Sequence, residues 1–177
     1  VWMTYNNSQQ FSAVIFAGGN STRMGQDKSL MFGGVERLRQ LCIESGIVKI
    51  ITLCGGQERA SLFEGEVWPD PAHCQKLSDV IRWVSGELSG PIQFIPCDAF
   101  DLDLDSLQAL LQSGGGVPLD SNSNRQPLLA NCPSDYQMGD GSSVNSLFDG
   151  LATINIVGLS DGFSNYNEKS QLKERHQ

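Results

Sequence analysis

Apolar positions along the chain alternate between short continuous runs and longer segments with helical spacing. Residues 12–16 (SAVIF) form an apolar, β-branched run, which predicts a buried strand. A glycine-rich stretch, 17–25, follows at once. Residues 35–45 place Leu38, Leu41 and Cys42 on one face of a helix, and Gly46 stands where that helix should stop. Residues 48–53 (VKIITL) predict a second buried strand, closed by Gly55 and Gly56. Glu66-Val67-Trp68 predicts a short third strand before Pro69-Asp70-Pro71. Residues 77–87 read as a helix through Val80, Ile81 and Val84. A strand at 92–95 runs into Pro96-Cys97-Asp98, and a helix at 106–112 stops at Gly114-Gly115-Gly116.

The second half is less regular. Residues 117–130 read as a polar hairpin or loop followed by a strand, 145–151 as a helix, 152–157 as a late strand and 167–174 as a terminal helix. Residues 1–11 are expected to form a flexible N-terminal segment of a single domain, 1–177. Alternating strands and helices predict a three-layer, Rossmann-like α/β fold: a mostly parallel sheet with helices on both faces. Such sheets bind ligands at the carboxyl ends of their strands. Three predicted strands end in polar or glycine-rich loops, Ala17-Gly18-Gly19, Gly55-Gly56 and Cys97-Asp98, so that edge is the expected site.

The net charge of −8 and the lack of any Lys/Arg run argue against nucleic acid as a partner. Five cysteines, with no C-x-x-C pair, fit neither a disulfide scaffold nor a zinc site, and are expected to be reduced. No apolar run is long enough to cross a membrane, and residues 1–11 lack the apolar stretch of a secretory signal, so the expected location is the cytoplasm. His73 and Cys74 are adjacent and have no evident orienting third group, which argues against a nucleophilic pair.

The stretch from Phe16 to Lys28 (FAGGNSTRMGQDK) carries the most chemistry. Gly18 and Gly19, directly after a buried strand, let successive N–H groups point one way and cradle a polyphosphate. Arg23 adds a planar fork for phosphate oxygens, and Lys28 a compact charge. Five residues separate Gly19 from Gly25, one too many for a P-loop, and the dinucleotide pattern G-x-G-x-x-G is not met. Asp98, at a strand end facing this loop, suits a hard cation; a helix cap or a solvated loop acid is the alternative, and Asp101, Asp103 and Asp105 also compete for the cap.

This stretch resembles the signature of the MobA family, the molybdenum cofactor guanylyltransferases: L-A-G-G-x-x-x-R-M-G-x-x-K, with Phe16 in place of the leucine. Pro96-Cys97-Asp98 resembles the family's P-C-D motif, Gln126-Pro127-Leu128-Leu129-Ala130 its H-P-L-x-A segment, and Phe163-Ser164-Asn165-Tyr166-Asn167 its F-x-N-x-N motif, with Leu172 where a leucine usually follows. The resemblance implies transfer of GMP from GTP to molybdopterin with release of pyrophosphate. It assigns nucleotide contacts to Phe16, Ala17, Gly18, Gly19, Arg23, Lys28, Asp70 and Asp98. Arg23 and Lys28 take the catalytic charges, Asp98 takes Mg²⁺, and Asn165 and Asn167 take the molybdopterin side. Transient protein partners in cofactor delivery are also implied.

The chain departs from the family at the base-recognising end. The G-P-L-A-G segment expected after Asp70 is replaced by Ala72-His73-Cys74-Gln75-Lys76, and Gly55-Gly56 stands where an asparagine usually helps hold the guanine. Gln126 replaces the histidine of H-P-L-x-A. Two alternatives follow: another NTP transferase of this fold, of sugar-phosphate or cytidylyl type, or a catalytically impaired nucleotide-binding homologue.

Overall fold

The computed structural model describes residues 10–19, 27–164 and 166. The chain runs β1 (Ser12–Phe16), α1 (Gly34–Glu44), β2 (Lys49–Gly55), β3 (Glu66–Pro69), α2 (Leu77–Glu87), β4 (Ile92–Pro96), α3 (Leu104–Gln112), β5 (Val117–Pro118), β6 (Asn131–Cys132), α4 (Val144–Leu147) and β7 (Thr153–Ile154). Five strands form the main sheet in the order β3-β2-β1-β4-β6, and β5 pairs with β7 in a separate two-stranded ribbon. Strands β3, β2, β1 and β4 are parallel, and β6 pairs antiparallel with β4.

The alternation along β1 sorts the core. Val14 and Phe16 pack with Ile51, Leu53 and Phe94 against Val80, Ile81 and Val84 of α2. Ala13 and Ile15 pack on the other face with Val35, Leu38 and Cys42 of α1 and Leu107 and Leu110 of α3. Helices on both faces explain why all five residues of β1 are buried and why its sequence reads as a continuous apolar run. The expected three-layer α/β fold is the one observed. Helix α2 has the expected bounds. Helix α1 ends as expected at Gly46, whose φ of 84° suits glycine and whose N–H reaches the Ile43 carbonyl at 2.9 Å. Helix α3 starts two residues earlier than expected because Asp103 caps it, accepting from the Ser106 N–H at 2.8 Å.

The second half corrects several expectations. Leu128 and Leu129 belong to a 3-10 turn, Pro127–Leu129, and the strand that follows spans Asn131–Cys132 alone. The late helix is one turn, closed at its start by Ser143 and Ser146, and the late strand spans two residues. The expected terminal helix at 167–174 lies outside the described residues. Among the described residues no helix is long and apolar enough to cross a membrane.

Candidate active site

The order β3-β2-β1-β4 means the chain builds outward from β1 through β2 and β3, then crosses back to lay β4 on the other side of β1. The carboxyl ends of β1 and β4 therefore flank a topological switch point, where a ligand crevice opens in sheets of this kind. Cross-strand bonds hold the ends level: Ala17 N–H to the Leu53 carbonyl at 2.8 Å, and Cys97 N–H to the Phe16 carbonyl at 3.0 Å. The Phe16 ring lies in the core, stacked on Phe94 with centroids 5.6 Å apart. Gly18 meets Gly55 backbone to backbone: a Cβ on Gly18 would lie 2.8 Å from the Gly55 Cα. Gly55, the first of the glycine pair expected to close β2, thus makes room for Gly18 beside it.

Lys28 reaches this edge from a 3-10 segment, Lys28–Gly33, which Asp27 caps by accepting from the Ser29 N–H at 3.0 Å. The Lys28 ammonium donates to Asp98 Oδ2 at 3.0 Å, with both side chains about 15% exposed. It also donates to the Tyr166 carbonyl, while the Tyr166 hydroxyl donates to Asp101. The loop carrying Asp98 is fixed from behind by Arg37 of α1, which donates to the Ala99 and Leu102 carbonyls at 2.6 and 2.7 Å. Asp103 is the helix cap, and the Asp98 carboxylate is instead paired with Lys28.

Asp70 follows β3, its N–H bonded to the Gly55 carbonyl at 2.7 Å. Its Oδ1 is buried and has no hydrogen-bond partner among the described residues, and burial pushes its carboxyl up. Three strand spacings separate the ends of β3 and β4, about 14 Å, so Asp70 and Asp98 mark opposite ends of one edge. Between Asp70 and α2, the N–H groups of Gln75 and Lys76 both point to the Asp79 carboxylate at 3.0 Å. The start of α2 is thus capped internally. Burial, with the charges of Asp79 and Asp70, pushes the Cys74 thiol up, which fits no nucleophile.

Arg59, on a 3-10 segment, Gln57–Leu62, was not singled out in the sequence. It donates to Asp27 Oδ2 at 2.7 Å, the Ala17 carbonyl at 2.9 Å, the Cys54 carbonyl at 3.0 Å and Ser29 Oγ at 3.1 Å. Burial works to raise the Asp27 carboxyl, but hydrogen bonds from Arg59 and Ser29 outweigh it and hold it below the usual aspartate value. Gly19 has a φ of 132°, open to glycine alone. Arg23, Asn165 and Asn167 lie outside the described residues. A cavity of about 780 Å³ opens at the opposite edge of the sheet, between Phe11, Ile47, Val48, Pro91 and Leu111. Among the described residues no titratable side chain lines it.

Solved nucleotidyltransferase structures share this fold. A nucleotidyl transferase from Methanothermobacter thermautotrophicus superposes with a TM-score of 0.67 at 18% identity, covering 94% of this chain and 96% of its own. Molybdopterin-guanine dinucleotide biosynthesis protein A from Archaeoglobus fulgidus gives 0.63 at 16% identity, covering 92% and 95%. A 4-diphosphocytidyl-2C-methyl-D-erythritol synthase also gives 0.63, at 12% identity, covering 94% and 97%. Among curated proteins none matches the sequence significantly. Residues 13–137 match the MobA-like NTP transferase domain, and the chain belongs to that family.

Proposed function

We propose that the protein is a nucleotidyltransferase of molybdenum cofactor biosynthesis, acting in the cytoplasm, that transfers GMP from GTP to the phosphate of molybdopterin. The observation that carries this reading is the Lys28–Asp98 pair at the switch point, beside the Gly18-Gly19 loop. A molybdopterin phosphate oxygen attacks the α-phosphorus of GTP in line. The bond from that phosphorus to the bridging oxygen breaks, and pyrophosphate leaves with the electron pair. No covalent intermediate with the protein is required. Catalysis is then positioning plus charge stabilisation. Lys28 and Arg23 neutralise charge on the phosphates, and backbone N–H groups of the glycine loop orient them. Asp70, with an unpaired buried oxygen, suits a donor on the nucleoside end. The family resemblance assigns the acceptor side to Asn165 and Asn167, the sequence neighbours of Tyr166, whose carbonyl accepts from Lys28.

The residues fit a divalent cation. Mg²⁺ is held by one or two carboxylates together with substrate phosphates rather than by an all-protein cage. Asp98 is such a carboxylate, and no cluster of three or more His, Cys, Asp or Glu side chains occurs among the described residues. Asp98 would hold Mg²⁺, which when bound neutralises phosphate charge.

Lys28→Ala and Asp98→Ala are each expected to lower pyrophosphate release with GTP and molybdopterin by about a hundredfold or more, the loss of one preorganised charge contact. Wild-type turnover in either variant would sink the assignment. The base-recognising end favours a second reading, another NTP transferase of this fold: Gly55-Gly56 and residues 71–76 offer no guanine-specific side chain of the family's kind. Titration with GTP, CTP, UTP and ATP, with and without Mg²⁺, separates the two, because preference for CTP or UTP contradicts the guanylyl assignment.

A further inference from the structure

We propose that Arg59 is a positioning residue for phosphate chemistry: it clamps the two feet of the glycine-rich loop and so fixes where the Lys28 ammonium stands. This rests on the function proposed above. The loop leaves β1 at Ala17 and returns at Asp27. Arg59 bonds to both feet, to the Ala17 carbonyl on the outgoing side and to Asp27 and Ser29 on the returning side. Its Nε anchors the same guanidinium to the end of β2 through the Cys54 carbonyl. Lys28 lies between Asp27 and Ser29, so both neighbours of the phosphate-binding lysine are held by one side chain.

These contacts use all but one of a guanidinium's N–H donors, which leaves little to offer a substrate directly. A lysine cannot replace it, because a single nitrogen cannot reach four acceptors spread over a planar fork. The guanidinium is well ordered by its surroundings: its side chain is 18% exposed, and its Cζ lies 5.8 Å from the Phe63 ring centroid. The Asp27 carboxylate has two tasks, capping the turn with Oδ1 and receiving Arg59 on Oδ2. Losing the arginine would free the returning foot to shift relative to β1. A displacement near 1 Å in a group that must meet a transition state costs about a hundredfold in rate.

The test uses the full chain as wild type, Arg59→Lys, Arg59→Ala, Asp27→Asn and Lys28→Ala. Pyrophosphate release is measured with Mg²⁺, GTP and molybdopterin below each variant's melting midpoint, and folding is followed by circular dichroism. Arg59→Lys and Arg59→Ala are expected to lose kcat by about a hundredfold, with KM for GTP little changed. Guanidinium ion, added below denaturing concentrations, should restore part of the activity of Arg59→Ala. A purely stabilising role predicts a lower melting midpoint, intact kcat and no rescue. Folded Arg59→Lys with wild-type kcat overturns the inference. Should neither Arg59 variant fold, Asp27→Asn, which removes one arm of the clamp, must lower kcat, and wild-type kcat in it is equally fatal. A wild-type protein that neither binds nor turns over GTP overturns the functional assignment and this inference together. An active wild type with active clamp variants overturns this inference alone.

Discussion

Replacing Gly18 by alanine isolates the contact on which the crevice is built. The φ of Gly18 lies outside the left-handed region, so the backbone itself would tolerate a side chain. Space is what forbids it. The new Cβ would sit 2.8 Å from both Cα and N of Gly55 and 3.4 Å from the Cys54 carbonyl carbon. Carbon atoms are comfortable at about 3.5–4.0 Å, so the shortfall is about 0.7 Å at least. Relieving it means spreading β1 from β2, against the Ala17–Leu53 bond at 2.8 Å. Overpacking of this kind costs about 1–3 kcal/mol. For a chain of this size each kcal/mol lowers the melting midpoint by about 2–4 °C. Gly86 is the control: it lies in α2, its φ is not left-handed, and a Cβ there meets no atom within 4 Å. Gly86→Ala should therefore stabilise the helix by about 0.8–1 kcal/mol. Thermal melts of the two variants should move in opposite directions, and GTP affinity should fall in Gly18→Ala alone. Gly18→Ala melting at or above the wild-type midpoint would refute the backbone-contact argument.

Asp70→Asn should raise the melting midpoint at neutral pH, because it removes the charge of a half-buried carboxylate whose ionised form burial disfavours. The same variant should bind GTP more weakly in calorimetric titration, and unchanged affinity removes Asp70 from the nucleotide site. Burial raises the thiols of Cys42 and Cys132 from 9.0 to about 12. Above pH 9 the unfolded chain loses these protons while the native chain keeps them. Stability should thus fall as pH rises from about 9 towards 12, by up to about 1.4 kcal/mol per thiol per pH unit. Denaturant melts of Cys42→Ala between pH 8 and pH 10 should show a shallower fall than wild type, and an identical slope counts against the cause given.

Much of the sheet was legible because its signals are local. The run at 12–16 and the helical spacing at 77–87 need no knowledge of distant partners, and both fold with the expected bounds. The glycine loop, Lys28 and Asp98 were legible as separate pieces, and the strand order brings the latter two together. The 3-10 segment Lys28–Gly33 left no periodic trace: its chain kinks at Phe32, which sits at a φ of 49° that sequence patterns do not signal. The short elements after residue 117 are set by pairing with the rest of the fold; Asn131 owes its place to the Gln93 side chain, to which it donates at 3.0 Å. Arg59 was invisible for the same reason. Apart from Cys54, its partners lie 30 to 42 residues away, and an arginine between Glu58 and Ala60 looks like any surface arginine until the loop closes on it.

The grip of Lys28 on the Tyr166 carbonyl bears on how the protein is made. That contact joins residues 138 positions apart, and an aromatic run from Phe32 through Phe100 to Tyr166 reinforces it. Every strand of the five-stranded sheet is complete by Cys132, so a ribosome can release a folding-competent sheet well before Tyr166 emerges. Until then Lys28 lacks one of its acceptors. The scaffold can thus mature ahead of this contact, which is complete only once Tyr166 has emerged and docked.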